Sequence, residues 1–515
     1  MKIVSVGISH LLFVGFLLGC TKVSKEHEQK QPNIVLFFVD DLGWQDSSLP
    51  FWEKRTAFND RYKTPNMERL ARQGMKFTEA YATPVCSPSR ISLMTGMNAA
   101  RHKVTNWTLK KNNMHDMEVN HSELAFPDWN VNGLSPDATT PRAVYATPLP
   151  ELLRGAGYHT IHVGKAHFGA IGTPGENPLN LGFDVNVAGH AAGAPASYLG
   201  IEKFGNRESS TSSWGVPGLD KYHGEDIFLT EVLTLEAISQ MEKAERMNKP
   251  FFLYLAHYAV HTPLQSDKKY LNKYLEVGLD SIEAKYASMV EGMDKSLGDV
   301  MHFLEEKKIE DNTIILFMSD NGGLSAVLRG GEPHTHNQPL SSGKGSIYEG
   351  GIREPMIVRW PGIVSPGSTS DQYLIIEDFF PTILEMAGLE ESQMEQSVDG
   401  VSFIGILKDE GPPVNNRPLF WHYPNEWGYK GPGIGAFSAI RQGEWKLIYY
   451  HIDSRFELFN IKEDIGETVN KVCAQPEVAK VLAKTLGQYL RAVEAQMPTR
   501  KKNGDVVPWP DIVSI

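Results

Sequence analysis

Three cysteines in 515 residues are too few for a disulfide framework, and Cys20, Cys86 and Cys473 fit no zinc-ligand spacing. Positive charge is also short. Fifty Lys and Arg stand against 62 Asp and Glu, a net charge of −12. A chain of that sign does not displace counterions over a wide polyanion surface, which excludes a general DNA or RNA binder. It leaves room for an anionic small substrate in a local basic pocket. Beyond the N-terminus there is no apolar run of membrane-spanning length, no internal repeat and no extended low-complexity tract. With 10% aromatic and 22% charged residues of both signs, wholesale disorder is excluded as well. The length implies two or more core-forming units.

The one long apolar run follows Lys2, from Ile3 to Leu18, and ends Leu17-Leu18-Gly19-Cys20. That ending resembles a bacterial lipobox, which implies cleavage before Cys20 and lipidation of its sulfur. Residues 1–19 are then a signal peptide and 20–31 a polar tether. The expectation is an exported bacterial lipoprotein, periplasmic or on the cell surface, with the membrane touched only through the lipid. A plain secretory signal is the alternative.

Four β-rich runs end abruptly in polar residues. Asn33–Val39 meets Asp40-Asp41, Tyr158–Val163 meets Gly164-Lys165-Ala166-His167, Pro250–Ala256 meets His257 and His261, and Thr313–Met318 meets Asp320-Asn321-Gly322. Continuous apolar runs of this length fit buried parallel strands. Helical patterns lie between them at Asn66–Gln73, Pro150–Gly155, Asp226–Arg246 and Ile282–Lys307. Strands alternating with helices predict an α/β domain, a large mainly parallel sheet flanked by helices, over residues 32–411. Ligands in such sheets bind beyond the strand carboxyl ends, where all four runs place Asp, Asn, Lys or His. After the loop Asp409–Pro418, residues 412–515 predict a smaller antiparallel sheet (Leu419–Tyr423, Gly435–Arg441, Trp445–Tyr450, Glu457–Ile461) and a helix over Pro476–Ala495. The stretches Asn98–Ala146 and Gly182–Gly224 read as long functional loops.

The segment Cys86-Ser87-Pro88-Ser89-Arg90, continuing to Thr95-Gly96, resembles the sulfatase signature Cys-x-Pro-Ser-Arg followed by Thr-Gly. Gly157–Thr160 through Gly164–Gly169 resembles that family's second block, except that Ala166 stands where an aromatic residue usually precedes the histidine. Asp40-Asp41, His261-Thr-Pro263, Asp320-Asn321-Gly322, and Gly343-Lys344-Gly345 before Glu349–Arg353 match further motifs in order. The chain is thereby identified with the formylglycine-dependent sulfatases, of alkaline-phosphatase-like fold, from about Asn33 to the C-terminus.

The resemblance implies oxidation of Cys86 to formylglycine by a maturation enzyme and hydrolysis of sulfuric esters. Alone, Asp40-Asp41 reads as a cap or turn. Joined to Asp320 and Asn321 it forms a set of hard oxygen ligands suited to Ca²⁺ and less to Mg²⁺. The resemblance makes the ion Ca²⁺ and adds the modified residue 86 as a ligand. Arg90 lies one turn along a helix expected to start near Pro88, within reach of residue 86 or the carboxylates. Lys165 and Lys344 are expected on sulfate oxygens, His261 as the acid for the leaving alcohol, and His167 as the partner of the second formylglycine hydroxyl. Trp107, Trp129, Trp214, Trp421 and Trp427 offer faces that suit sugar rings. Glu332, His334, His336 and His422 are candidates for substrate hydroxyls, and Arg353 for structural support. The expected substrate is a sulfated carbohydrate, attacked at a chain end. The rivals are a phosphate- or phosphonate-ester hydrolase of the same superfamily and a glycan-binding lipoprotein whose site has decayed.

Overall fold

The computed structural model describes Met1 and residues 31–114, 120–206, 213–389, 394–410 and 416–515. The expected signal segment, Cys20 and nearly all of the tether lie outside the described residues. Residues Gln31–Ile515 form one compact unit.

Its centre is a mixed sheet. In chain order the strands are β1 (Asn33–Val39), β2 (Met75–Tyr81), β3 (His159–Gly164), β4 (Val185–Val187), β5 (Phe251–Ala256), β6 (Thr313–Ser319), β7 (Arg353–Arg359), β8 (Ser368–Ser370) and β9 (Leu374–Ile375). Across the sheet the order is β8-β2-β7-β6-β1-β5-β3-β4, with β9 also beside β2. Only β7 runs against its neighbours β2 and β6; the other pairings are parallel. The parallel expectation therefore holds for the strands that carry chemistry.

β1 shows why these runs are strands. Ile34, Leu36 and Phe38 enter one hydrophobic core, while Val35, Phe37 and Val39 enter a second. A segment buried on both faces needs apolar residues at every position, which a half-exposed strand does not. The first core receives helix α1 (Cys86–Thr95), every residue of which is buried. The second receives α2 (Leu229–Arg246) and α3 (Ser281–Glu306). With cores on both faces, only loops at the strand ends are left to host a ligand.

The C-terminal residues form the expected antiparallel sheet, β10 (Leu419–Tyr423), β11 (Phe437–Gln442), β12 (Trp445–Tyr450) and β13 (Phe456–Asn460). Helix α4 (Pro476–Ala492) packs on it through Ala479, Leu482, Leu486 and Leu490. A buried ion cluster joins this sheet to the first one. Lys446 Nζ sits 2.9 Å from both Glu349 and Glu467, and both it and Glu349 are inaccessible to solvent. Glu349 also accepts from Tyr81 (2.7 Å) and pairs with Arg353 (3.3 Å), which gives Arg353 the supporting role expected of it. Truncating one partner strands the other charges without water. Lys446→Met is therefore expected to lower the unfolding free energy by about 3–5 kcal/mol, measured by urea denaturation; a loss below about 1 kcal/mol would contradict a fully desolvated cluster.

Candidate active site

The sheet order sets the site. β1 and β6 are neighbours in register, Val39 opposite Ser319, so Asp40-Asp41 and Asp320-Asn321 emerge side by side. β5 flanks β1 and delivers His257 and His261; β3 flanks β5 and delivers Lys165 and His167. Asp41 and His167 take left-handed backbone, φ 58° and 56°. Such positions cost of order 1–3 kcal/mol each in a non-glycine residue and persist where the surroundings hold them. Here Leu42 N donates to Ser319 Oγ (3.0 Å), and His167 N donates to the His190 carbonyl (3.1 Å).

The expected residues converge. Asp40, Asp41, Arg90, Lys165, Asp320 and Asn321 are all inaccessible, and Lys344 is 6% exposed. Lys165 Nζ lies 2.6 Å from Asp40 Oδ2, and Lys344 Nζ 2.6 Å from Asp41 Oδ1. Arg90 reaches Asp320 Oδ2 at 2.8 Å and donates to the Lys165 carbonyl at 3.0 Å. Its helix begins at Cys86, two residues earlier than the Pro88 start expected from sequence, so Arg90 projects one turn above residue 86. Asn321 Nδ2 donates to Asp41 Oδ1 at 2.7 Å, which turns its Oδ1 the other way.

Three carboxylates (Asp40, Asp41, Asp320) and three cations (Arg90, Lys165, Lys344) thus share one buried volume. Burial, then the neighbouring Asp320, push the Asp40 carboxyl well above its ordinary value. Burial opposes the ionisation of Asp41 too, but Lys344 and His261 hold it below its ordinary value. Asp40 Oδ1, Asp41 Oδ2 and Asn321 Oδ1 are buried without a hydrogen-bond partner. Orphaned buried oxygens of this kind need a compensating group. Ligand atoms of Asp40, Cys86 and Asp320 lie within 4.8 Å of one another, as do those of Asp40, Asp41 and His261. The oxygens of this set, from Asp40, Asp41, Asp320 and Asn321 at two strand ends, fit a hard divalent cation.

The two histidines are fixed in opposite senses. His167 Nε2 donates to the Thr108 carbonyl (2.8 Å), leaving Nδ1 buried and unpartnered as an acceptor. His261 Nδ1 faces the Thr262 carbonyl (2.9 Å), leaving Nε2 3.6 Å from Asp41 Oδ2. Burial, then Lys344, lower the His261 pKa to about 3, and burial, then Lys165, lower that of His167 well below its ordinary value.

Beneath the two acidic loops lies a second inaccessible cluster that sequence reading missed. Arg329 bridges Asp46 (3.0 Å) and Glu283 (2.6 Å), and Tyr286 donates to Asp46 (2.6 Å). Asp46 in turn accepts from Gly43 N at 3.0 Å, so the loop after β1 is tied to the loop after β6 and to α3. No motif links residues this far apart in sequence.

Above the cluster opens a cavity of about 220 Å³, floored by Cys86, His167, His261 and Lys344. Trp107 and Trp214, from the two long loops, form one wall; Trp427 and Tyr429 form another. The other tryptophans expected near sugar are core residues. Trp129 is inaccessible, and Trp421 stands on β10 with its indole N–H donating to the Ala82 carbonyl (2.9 Å). His422 does not line the cavity, because its ring nitrogens are taken by Ser438 Oγ (2.8 Å) and the Gln496 carbonyl (2.9 Å). Glu332 is exposed outside it, His334 bonds Ser342 and the Lys430 carbonyl, and His336 bonds Ser325 and the Gly330 carbonyl. None of the three lines the cavity, and His334 braces the loop between Tyr423 and Phe437 through the Lys430 carbonyl. Tyr429, Thr262 and Gly193 line it without having been singled out from sequence. Of these only Thr262 stood inside a recognised motif.

The family profile described as Sulfatase matches residues 32–389, and one described as N-sulphoglucosamine sulphohydrolase, C-terminal, matches 343–496. A protein of Formosa agariphila described as Sulfatase is 29% identical, with 97% of this chain and 96% of its own length aligned. The N-acetylgalactosamine-6-sulfatase of Homo sapiens is 31% identical over 93% of this chain and 89% of its own. The crystal structure of Ps i-CgsB, also solved in complex with k-i-k-neocarrahexaose, superimposes with a TM-score of 0.70 at 27% identity, covering 90% of this chain and 93% of that one. A profile match over residues 32–389, a span that holds the whole buried acid and cation cluster, makes this protein a member of the sulfatase family, a sulfuric ester hydrolase.

Proposed function

We propose that the enzyme removes sulfate from a sulfated carbohydrate at a chain end, through a formylglycine formed from Cys86 by a maturation enzyme. The observation that carries this reading is the position of Cys86. It opens α1, is 4% exposed, borders both the carboxylate cluster and the cavity, and has Lys344, His167 and His261 beside it on the cavity floor. As a thiol it is a poor nucleophile, because burial pushes its pKa up. Conversion to an aldehyde hydrate supplies an oxygen nucleophile there, and Ca²⁺ held by Asp40, Asp41, Asp320, Asn321 and residue 86 supplies positive charge.

The chain's own groups then divide the work. Lys344 and Lys165 hold sulfate oxygens as point charges. Arg90 fixes Asp320 and the Lys165 backbone, keeping the anion site from relaxing. His261 carries a proton at Nε2 to the leaving sugar oxygen. His167 accepts a proton at Nδ1 as sulfate departs.

Carbohydrate as substrate is supported by the tryptophan walls, by the similarity to the human N-acetylgalactosamine-6-sulfatase and by the oligosaccharide bound to Ps i-CgsB. A cavity of about 220 Å³ suits a terminal residue better than the middle of a strand. Export with a lipid on Cys20 is proposed from Leu17-Leu18-Gly19-Cys20 alone.

With formylglycine verified at residue 86 by mass spectrometry, ion chromatography is expected to detect sulfate release from members of a sulfated mono- and oligosaccharide panel. Cys86→Ala is expected to lower turnover at least ~10³-fold at an unchanged melting temperature. Turnover by Cys86→Ala would refute the nucleophile, and release from simple aryl sulfates only would refute the carbohydrate. For the anchor, the wild type is expected in the detergent phase of a detergent–water partition and Cys20→Ala in the aqueous phase. Aqueous wild type would refute it.

A further inference from the structure

The upper part of the cavity says more about the substrate than its class. Its aromatic walls come from three separate parts of the chain, and two of these are joined by hydrogen bonds. The loop between β10 and β11 carries Trp427 and Tyr429, whose rings lie 4.8 Å apart. On one side it is fastened to the Trp107 loop. Asn425 Nδ2 donates to Thr105 Oγ1 (2.7 Å), and Tyr423 donates to Asn106 Oδ1 (3.0 Å). On the other side it is fastened to the Lys344 segment. Ile347 N donates to the Gly433 carbonyl (2.9 Å), and Ser346 Oγ donates to the Pro432 carbonyl (2.8 Å). The loop is thus held rigidly across the site.

Trp427 is seated directly beside the sulfate-binding lysine. Gly345 follows Lys344 with φ +85°, and a Cβ there would fall within the Trp427 ring. Across the cavity Trp107 and Trp214 stand 6.3 Å apart, and Leu324 and Leu328 complete the lining. Among the described lining residues, charge is confined to the floor: Lys344 is the one Lys or Arg, and there is no Asp or Glu. Among the described lining residues, a second sulfate or a uronate carboxylate on the same sugar would meet mainly aromatic and aliphatic side chains and no Lys or Arg beyond Lys344, and desolvating an unpaired anion is costly. A neutral ring, with its C–H face on the indole and its hydroxyls at the edges, loses nothing there.

We propose that the leaving-group side of the site is a stacking cleft for one uncharged, singly sulfated sugar residue, with Trp427 as its platform. This rests on the carbohydrate reading above and adds to it the charge state of the residue recognised. Trp427 is a specificity residue for the ring, while Lys344 serves the ester.

The test uses matured full-length protein, a monosulfated neutral hexose, the same hexose carrying a second sulfate, and inorganic sulfate as a competitive inhibitor that reads only the floor. Wild type is expected to prefer the monosulfated hexose by roughly tenfold or more in kcat/KM. Trp427→Ala is expected to lower kcat/KM on that sugar roughly tenfold, Trp427→Phe to restore most of it, and both to leave inhibition by inorganic sulfate unchanged. Equal turnover of the disulfated hexose overturns the proposal, as does indifference of the monosulfated sugar to Trp427→Ala. Equal weakening of sugar and inorganic sulfate would make Trp427 a positioning residue for Lys344 and also overturn it. If no sugar in the wider panel is hydrolysed while an aryl sulfate is, the carbohydrate reading itself has failed, a result distinct from a sugar that turns over without regard to Trp427.

Discussion

Three carboxylates and three cationic side chains confined in one buried volume are the constraint on which the site depends. Asp40, Asp41 and Asp320 each approach Arg90, Lys165 or Lys344, so the cluster is close to neutral by itself. Neutrality lets it be buried, because an isolated charge at this depth would shift its pKa or unfold its surroundings. A neutral cluster is also a weak anion trap. One divalent cation among the orphaned oxygens of Asp40, Asp41 and Asn321 would leave a net charge of about +2 in a medium where charge is poorly screened. In the proposed reading that surplus receives a sulfate ester carrying one negative charge.

Such a cluster needs a frame that does not relax. β1 and β6 place the four oxygen-bearing side chains in fixed register, and cores on both faces of the sheet leave the strands no room to slide. The Asp46–Arg329–Glu283 cluster ties the two acidic loops together from below. Arg90 ties α1, and with it residue 86, to Asp320 and to the backbone of Lys165. Each of these contacts joins residues more than 45 positions apart, so the fold itself is the positioning device.

What sequence alone revealed follows from this physics. β1, β3, β5 and β6 are continuous apolar runs because both faces are buried, and the polar residues that stop them are the site. β2 and β7 escaped notice. Met75–Tyr81 carries Lys76, Thr78 and Glu79 between apolar residues, and Arg353–Arg359 opens with Arg and Glu and contains Pro355. Neither reads as a buried run. The floor residues were legible because motifs fix them; the walls were not. Trp107 and Trp129 look equivalent in sequence, yet one lines the cavity and the other is inaccessible core. His422 looked available until Ser438 and Gln496, one of them from a neighbouring strand, occupied both its nitrogens. Partners distant along the chain decide such cases, and one sequence does not display them.

In the proposed reading, a divalent cation acting on an otherwise balanced cluster assembles the anion site. Calorimetric titration of inorganic sulfate into the full-length protein, once with calcium and once in chelator, tests it most directly. The account predicts sulfate binding with calcium at least roughly tenfold tighter than in chelator, since the two added charges lie in a low-dielectric site. Equal sulfate affinity in both conditions would contradict it and would leave the lysines and arginine as the whole of the anion site.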